Sequence, residues 1–435
     1  MMYIDNILFA IILVAGIGFF AKNVKKLKRN INLGQDINRT DNPAARWKNM
    51  AMIALGQSKM VKRPIAGFLH IIVYAGFIII NIEVLEIIID GLIGTHRIFS
   101  KFLGGFYSFL IGSFEILALL VLVAVIVFWI RRNIIKLKRF TNSDLKGAPK
   151  KDADIILYFE MVLMLLFLIM NATDLHFQYA NSGNVISQYI NPWFTSLDIV
   201  QVEIIERVAW WLHITIILVF LNYLYYSKHL HILLAFPNTY FADLNPQGQF
   251  DNLESVTKEV KLMMDPNANP FAAQPVDANA VPSKFGASDV QDLNWVQLLN
   301  AYTCTECGRC TAACPASQTG KKLSPRKIMM DTRDRLEEVG RNIDANKGVF
   351  VPDNISLLND YITPEELWAC TSCNACVEEC PVNISPLSII MDMRRYLVME
   401  ESAAPQSINA MMSNIENNGA PWQYNQQDRL NWKDE

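Results

Sequence analysis

Long apolar runs fill much of the first half of the chain and are missing from the second half. Five of these runs approach the length of about 20 residues that a helix needs to cross a bilayer. They predict transmembrane helices near residues 4–21, 65–89, 105–130, 155–173 and 204–227. We therefore assign residues 1–236 to a membrane domain built as a five-helix bundle.

The charges between the apolar runs predict the orientation of the helices. The connections 22–63 and 131–151 are rich in Lys and Arg, whereas the connection 171–206 contains neither residue. Because basic connections stay in the cytoplasm, the N-terminus is expected outside and everything after the fifth helix inside. The expected location is a bacterial or archaeal cytoplasmic (inner) membrane, which the chain crosses several times. The basic connections would lie near anionic membrane lipid.

The pattern changes after residue 236. Residues 237–289 are rich in Pro, Asn, Ala and Asp, which predicts an extended linker with one short helix around 253–264. Helical apolar spacing returns in 290–400, which we interpret as a second, soluble domain. Residues 401–435 are polar and poor in apolar side chains, so we predict a C-terminal tail that lies on a partner.

All eight cysteines lie within the soluble domain, in two quartets of identical spacing. Each quartet reads C-x2-C-x2-C-x3-C-P, the spacing of proteins that hold two [4Fe–4S] clusters. In this pattern three cysteines bind one cluster and the fourth binds the other. Cluster 1 is therefore expected to bind Cys304, Cys307, Cys310 and Cys380, and cluster 2 to bind Cys370, Cys373, Cys376 and Cys314.

The alternative interpretation of the quartets is a pair of zinc sites, which also use four cysteines. Zinc motifs usually pair two C-x2-C knuckles, whereas each series here runs through three cysteines to a Cys-Pro pair. Cluster sulfurs need reduced thiolates, so a reducing compartment is expected, in agreement with the charge pattern. Since the quartets use every cysteine, no thiol is left for a catalytic nucleophile. The clusters are expected to carry electrons.

The six histidines all lie in the membrane half, where histidine is costly and usually functional. His213 and His231 are eighteen residues apart, which is five whole turns of helix. On one continuous helix they would share a face about 27 Å apart, a spacing that suits two haems near opposite membrane surfaces. His70 lies about two turns into the second helix from the cytoplasmic side. We predict that His70 and His231 are the axial ligands of an inner haem b.

The second haem is specified less completely. His213 needs a partner near the outer surface, and His176, at the outer end of the fourth helix, has the required depth. His96 lies in a connection and would have to fold back toward the bundle to serve as this second ligand. Alternatively, His213 is hydrogen-bonded within the bundle or lines a quinone pocket. His229 is rotated away from the His213 face, which favours an interfacial or gating role. One haem b is expected, and a second is left open.

A quinone site needs a group that carries protons close to a haem edge. Glu83 and Glu86, toward the outer end of the second helix, are candidates. The alternative is that they pair with Arg97 or Arg207 at the interface. The net charge of −3 gives no general attraction for nucleic acid, and no glycine-rich nucleotide motif is present.

Two segments of the membrane half carry a resemblance to known proteins: the segment 63–70, which ends in His70, and the segment 228–231, which ends in His231. With the five helices, they make this half similar to the gamma subunit of respiratory nitrate reductase and to related cytochrome b subunits of heterodisulfide reductase and sulfite-reduction complexes. The resemblance implies that His213 and His231 are the ligands on the last helix and His70 the first ligand on the second. The remaining family ligand falls on Ile80, so the outer haem is missing or takes its ligand from another helix.

The soluble half resembles the iron–sulfur subunit of heterodisulfide reductase. The segment 368–373 and the Ser-Pro pairs at 324–325 and 385–386 carry this resemblance. Longer relatives add a cysteine-rich catalytic domain, which no remaining cysteine could build here. The resemblance implies that catalysis lies on a separate cytoplasmic redox subunit, either a cysteine-rich subunit like that of heterodisulfide reductase or an electron-transferring flavoprotein.

These expectations combine into one hypothesis. The fold class is mostly α, a five-helix transmembrane cytochrome b-type bundle followed by a cytoplasmic dicluster ferredoxin-like domain. The function is electron transfer between quinone or menaquinone and the cytoplasmic partner, through haem b and two [4Fe–4S] clusters. One alternative is a membrane iron–sulfur assembly or maturation factor without haem, and another is a structural anchor with inert histidines. A b-type α band in the reduced optical spectrum would distinguish the electron-transfer function from both alternatives.

Overall fold

The computed structural model describes residues 4–180, 182–267 and 284–434. Helices make up most of these ranges, and two isolated bridges are their only β pairings. The prediction of a mostly α protein is confirmed.

Five long helices form the first half, and each is long and apolar enough to cross a membrane. Their bounds are α1 Ile4–Ile31, α2 Pro64–Ile93, α3 Gly105–Asn133, α4 Ala148–Thr173 and α5 Ile199–Tyr223. Each contains or closely matches one of the predicted apolar runs. The main difference is in α1, which continues for ten residues beyond its predicted end as a basic helix. At 1.5 Å per residue this adds about 15 Å, enough to leave the bilayer and reach the second domain.

The bundle has an apolar core and an apolar outside. Phe9, Ile111, Phe114 and Phe167 are buried between the helices. Large apolar side chains also point outward, as at Phe109, which is unusual for a protein surrounded by water. Lipid contact accounts for this outer face, because a bilayer solvates apolar side chains.

The chain breaks direction after α5, at a point where the sequence predicts a continuous helix. Two short 3-10 turns follow α5, and Ser227 between them has an extended backbone. A new helix, α6, then runs over His231–Tyr240. His213 and His231 therefore do not share one continuous helix, and the expected 18-residue register between them is wrong.

Three helices form the centre of the second domain: α7 Trp295–Thr303, α8 Pro325–Ala345 and α9 Pro386–Met399. Helices α8 and α9 begin at the two Ser-Pro pairs, where the Ser324 and Ser385 side chains accept hydrogen bonds from backbone N–H groups of the first turn. Shorter α-helices are Pro43–Met50, Ser100–Leu103, Leu175–Ala180, Ser187–Ile190, Glu254–Met264, Arg309–Ala313, Pro315–Gln318, Pro364–Trp368, Ala375–Glu378 and Gln406–Asn418. The remaining helical turns are Ala51–Leu55, Lys138–Phe140, Ser143–Leu145, Asn191–Phe194, Leu224–Tyr226, Lys228–Leu230, Val290–Asp292, Leu357–Tyr361 and Gln426–Lys433.

The predicted linker and tail contain more helix than their composition suggests. The linker 237–289 starts inside α6, and its predicted short helix is present as Glu254–Met264. Its central part, 268–283, lies outside the described residues. The tail 401–435 contains the helix Gln406–Asn418, whose side chains are mostly exposed.

The two halves share one apolar core. Leu27 of α1 and Leu230 pack in the same cluster as Leu298, Leu336 and Val339 of the second domain. The cluster-bearing domain is thus seated directly on one end of the membrane helices.

Ion pairs surround this shared core. Lys26 and Arg29, both from the basic end of α1, bind Asp344 of α8. Arg63 binds Glu379 across 2.8 Å. The basic connections, interpreted above as orientation signals, therefore also hold the second domain in place.

Candidate cluster and haem sites

Four cysteines from both quartets surround the first cavity. Helix α7 ends at Thr303, and the chain then turns through a loop in which Gly308 has a left-handed backbone with φ of +72°. A Cβ on Gly308 would lie 2.4 Å from the Arg326 Nη1 atom, so only glycine fits here. The cavity beside this loop contains ≈ 370 Å³ of empty space. Its cysteines are Cys304, Cys307, Cys310 and Cys380, with Cys376 at its edge.

The second cavity repeats this construction. Its loop has left-handed residues at Ser372 and Asn374, the positions that Glu306 and Gly308 occupy in the first loop. Asn is one of the few residues with a side chain that tolerates this conformation. The cavity contains ≈ 310 Å³ of empty space, close to the size of the first. Its cysteines are Cys314, Cys370, Cys373 and Cys376.

The grouping of the cysteines fits two iron–sulfur clusters. Cys380 lies with the first quartet and Cys314 with the second, which is the exchange of fourth cysteines that the spacing predicts. In the described ranges, no three His, Cys, Asp or Glu side chains converge on the position of a single metal ion. Cavities lined by cysteines therefore suit a cluster of several atoms better than zinc. The ligand sets themselves stay predictions.

Burial raises the pKa of several cysteines in the two cavities. Burial raises the pKa of Cys304 and of Cys376 to about 12, and that of Cys380 to about 11. A thiolate at such a position needs a cation, and iron supplies it when the thiol loses its proton. The donor set is thus suited to a metal cluster rather than to a free thiolate nucleophile.

The two cavities differ in their surroundings. The first faces the membrane half: Gly308 lies against the Arg139 carbonyl oxygen, and Arg309 reaches Met60 just before α2. The second opens to the surface, where Cys373 is exposed. The cavities adjoin each other, because Cys376 lines both of them. The first cavity therefore lies on the membrane side of the second.

Three histidines meet at the end of the bundle that faces the first cavity. His70 lies near His229 and His231, whose rings are 5.4 Å apart. The Nδ1 atom of His231 lies 3.1 Å from the Lys228 carbonyl oxygen. Metal-bound histidines commonly hold one ring nitrogen in this way and bind the metal through the other. The Nδ1 atom of His70 is buried without a hydrogen-bond partner.

These three rings suit an axial haem pair better than a hydrogen-bonded cluster. His229 lies beside a different group, with its Nε2 atom 3.7 Å from a carboxylate oxygen of Glu160. His70 and His231 are left with ring nitrogens free for a metal. They are the predicted inner pair, and their ligand role stays a prediction.

The histidines at the other end of the bundle are arranged differently. His213 is buried in α5 against the ring of Phe167, and its Nδ1 atom has no partner. His176 is exposed, and its ring lies 6.4 Å from that of His96. His96 does fold back, because its Nε2 atom contacts Asp174 at 3.1 Å. The structure thus places His176 beside His96, and a haem between His176 and His213 stays a prediction.

Sequence reasoning missed a buried polar network at this end of the bundle. Arg97 donates hydrogen bonds to Asp174 at 2.7 Å and to Asn171 at 2.8 Å. Asn171 donates in turn to Glu115 at 3.0 Å. The network joins α3 and α4 to the connection after α2. The charged Arg97 in the short connection between two apolar helices was the available signal for it.

The two glutamates considered for proton transfer have different surroundings. Glu86 accepts hydrogen bonds from the Tyr107 hydroxyl at 2.9 Å and from the Phe99 N–H at 2.8 Å. These hydrogen bonds give Glu86 a structural role. Its partners are Tyr107 and Phe99 rather than the arginine considered above. Glu83 is buried, and one of its carboxylate oxygens has no partner. Glu83 therefore remains the candidate for proton transfer.

Comparison with known proteins agrees with the cluster sites. Residues 300–384 match the family model of the 4Fe-4S dicluster domain, a range that contains all eight cysteines. Over 109 residues, or 25% of its length, the chain is 31% identical to one subunit of the ferredoxin/F420H2-dependent CoB-CoM heterodisulfide reductase of Methanosarcina acetivorans, and covers 53% of that protein. The predicted resemblance of the soluble half is confirmed.

Two relatives match nearly the whole chain. The probable iron-sulfur-binding oxidoreductase FadF of Bacillus subtilis is 31% identical over 99% of this chain, which covers 61% of that protein. EtfAB:quinone oxidoreductase of Syntrophomonas wolfei is 26% identical over 94% of this chain, which covers 57% of that protein. The chain thus spans about three fifths of the length of these relatives, and no solved structure matches it. It is a membrane-anchored protein with a 4Fe-4S dicluster domain, and it is similar to iron–sulfur oxidoreductases.

Proposed function

We propose that this chain carries electrons between quinone or menaquinone in the membrane and a redox partner, through one haem b and two [4Fe–4S] clusters. The observation that carries the proposal is the linear order of the sites. The group of His70, His229 and His231 lies at one end of the bundle, the first cysteine cavity lies against that end, and the second cavity opens to the surface at Cys373.

The order of the sites suggests the order of electron transfer. Arg309 lines the first cavity and contacts Met60, which is ten residues before His70 in the chain. Cluster 1 is therefore the cluster next to the haem. Cys376 lines both cavities, which favours direct transfer from cluster 1 to cluster 2. Cys373 gives cluster 2 a route to a partner at the surface.

His70 and His231 are the proposed axial ligands. A haem b bound there would supply a one-electron carrier between a quinone and the clusters. The hydrogen bond from the His231 ring to the Lys228 carbonyl fixes which ring nitrogen faces the iron. The shared core around Leu27 and Leu230 holds the cluster domain at a fixed position relative to these rings.

The partner and the orientation belong to the same proposal. The Lys and Arg residues of the connections that hold the cluster domain support a cytoplasmic position for it, with the N-terminus outside, because basic connections stay in the cytoplasm. The relative named EtfAB:quinone oxidoreductase supports an electron-transferring flavoprotein as the partner. The relative from the heterodisulfide reductase of Methanosarcina acetivorans supports a cysteine-rich catalytic protein as the alternative partner.

The test is the cofactor content of the purified full-length chain. We expect a b-type α band in the reduced spectrum, together with about eight non-haem iron atoms for two [4Fe–4S] clusters. His70→Ala should lose the inner haem and keep both clusters, whereas the control His176→Ala should keep the inner haem. If the wild-type spectrum shows iron–sulfur absorbance alone, electron transfer through a haem b is refuted, and a maturation factor without haem is favoured.

A further inference from the structure

Arg309 carries a buried positive charge that nothing in the described chain neutralises. It lies between Cys307 and Cys310, and only 4% of its surface is exposed. Its Nε atom is buried without a hydrogen-bond partner. Among the described residues its guanidinium forms one hydrogen bond, from Nη2 to the Met60 sulfur at 2.7 Å, and thioether sulfur is a weak acceptor. No carboxylate of the described residues forms a salt bridge with it.

A buried guanidinium without an anion is strongly unfavourable, so an anionic partner is expected at this position. Other buried arginines of the same domain have such partners. Arg335 binds both Asp289 and Asp353, and Arg326 binds Asp144. Arg309 is the exception, which indicates that its anion is not a protein side chain of this region.

The position of Arg309 shows which way it can act. Its side chain lines the first cysteine cavity, and its contact with Met60 turns it toward the start of α2. From Pro64, the first residue of α2, to His70 the helix rises about 9 Å. Arg309 therefore lies between the cluster 1 cavity and the proposed haem ligand.

A second arginine lies beside it. Arg139, after the end of α3, has its carbonyl oxygen against Gly308, the residue before Arg309, and its guanidinium stacks over the ring of Phe140. It has no carboxylate partner within the described residues either. Arg63, also nearby, is already paired with Glu379. Two arginines without carboxylate partners among the described residues thus lie beside the same loop.

We propose that Arg309, with Arg139 beside it, binds the two propionate carboxylates of the inner haem and so links the haem electrostatically to cluster 1. This inference rests on the haem of the proposed function. Arginine forms paired hydrogen bonds with a carboxylate, which suits it to hold a propionate. A positive charge there stabilises the reduced haem and sets the haem edge beside cluster 1. Arg309 is thus a positioning residue for electron transfer.

The test is a redox titration of the full-length protein, with the haem followed optically and the clusters followed by electron paramagnetic resonance. In Arg309→Gln the haem midpoint should move to a more negative potential, or the haem should be lost, while iron analysis shows both clusters retained. Arg309→Lys should restore most of the wild-type potential, because it returns the charge. The control Arg394→Gln removes a cation beside Cys370 and should leave the haem potential unchanged.

The outcomes separate this inference from the proposed function. Absence of haem from the wild-type protein would overturn both. Haem in the wild type that titrates unchanged in Arg309→Gln would overturn the inference alone, and would show that cluster 1 is the anion that Arg309 neutralises. If Arg309→Gln fails to fold, Arg309→Lys and Arg139→Gln carry the test. A negative shift of the haem midpoint in Arg139→Gln, with little shift in Arg309→Lys, supports the inference, and an unshifted haem in Arg139→Gln overturns it.

Discussion

The ion pair between Asp144 and Arg326 should be one of the strongest links between the membrane half and the cluster domain. Asp144 lies in the connection after α3, and Arg326 lies in the first turn of α8. The Arg326 side chain is fully buried, with 0% exposed, and that of Asp144 is 11% exposed. Arg326 donates to Asp144 through both Nε, at 3.1 Å, and Nη2, and also donates to the Arg139 carbonyl at 3.0 Å.

Asp144→Asn removes the anion while keeping the shape of the side chain. Because water does not screen this pair, the cost should be that of leaving a buried charge unpaired, about 3–5 kcal/mol. Since about 1.4 kcal/mol corresponds to a factor of ten, this cost shifts the equilibrium from docked toward undocked domains by roughly a hundredfold to several thousandfold. Cluster 1 should be affected first, because Arg326 supports the Gly308 loop.

The assay is urea unfolding of the full-length protein, followed by loss of the visible iron–sulfur absorbance. The matched control is Lys62→Gln, which breaks the pair of Lys62 with Glu378 at 2.6 Å, where the Lys62 side chain is 60% exposed. An exposed pair of this kind is worth about 0–1 kcal/mol. The double variant Asp144→Asn/Arg326→Met should recover much of the lost stability, because no charge then remains buried. Equal effects of Asp144→Asn and Lys62→Gln would refute the reasoning.

Three further predictions concern the cysteines, a glycine and an acidic side chain. Cys380→Ser should impair cluster 1, and Cys314→Ser should impair cluster 2, as measured by the electron paramagnetic resonance signal of each cluster. If each substitution impaired the other cluster instead, the exchange of fourth ligands would be contradicted. Gly308→Ala should lower cluster 1 occupancy, measured as iron per chain, because φ of +72° and the 2.4 Å approach to Arg326 both disfavour a Cβ; full occupancy would contradict this. Burial raises the pKa of Asp331 to about 6, so its protonated form favours the fold, and this contribution is lost as the pH rises through about 6. In Asp331→Asn the urea midpoint should therefore fall less between pH 5 and pH 7 than in the wild type, and equal falls would argue against it.

Features set by local spacing were readable from the sequence. The two cysteine quartets predict their own loops, because the number of residues between ligands fixes how far each can reach. The apolar runs predict the five long helices for a similar reason, since length and hydropathy decide what can cross a bilayer. The Ser-Pro pairs predict the starts of α8 and α9, where Ser324 and Ser385 cap the first turn.

Features set by distant contacts were not readable. The break at Ser227 has no breaking residue in the sequence, and Ser227 caps the following turn by accepting a hydrogen bond from the His229 N–H. The docking of the two halves depends on pairs such as Asn30 with Tyr302, 2.9 Å apart in space and 272 residues apart in the chain. No local pattern marks such pairs. The unpaired charge of Arg309 became visible only when its neighbours were known.

The central claim is that the haem ligated by His70 connects the clusters to the quinone. The most direct measurement starts with fully reduced protein and follows reoxidation of the clusters after mixing with a soluble menaquinone analogue. The account predicts fast reoxidation in the wild type and at least roughly tenfold slower reoxidation in His70→Ala, equivalent to about 1.4 kcal/mol of barrier. Ferricyanide should still oxidise the clusters of this variant through the exposed side at Cys373. Reoxidation of the His70→Ala clusters by the quinone at the wild-type rate would contradict the account.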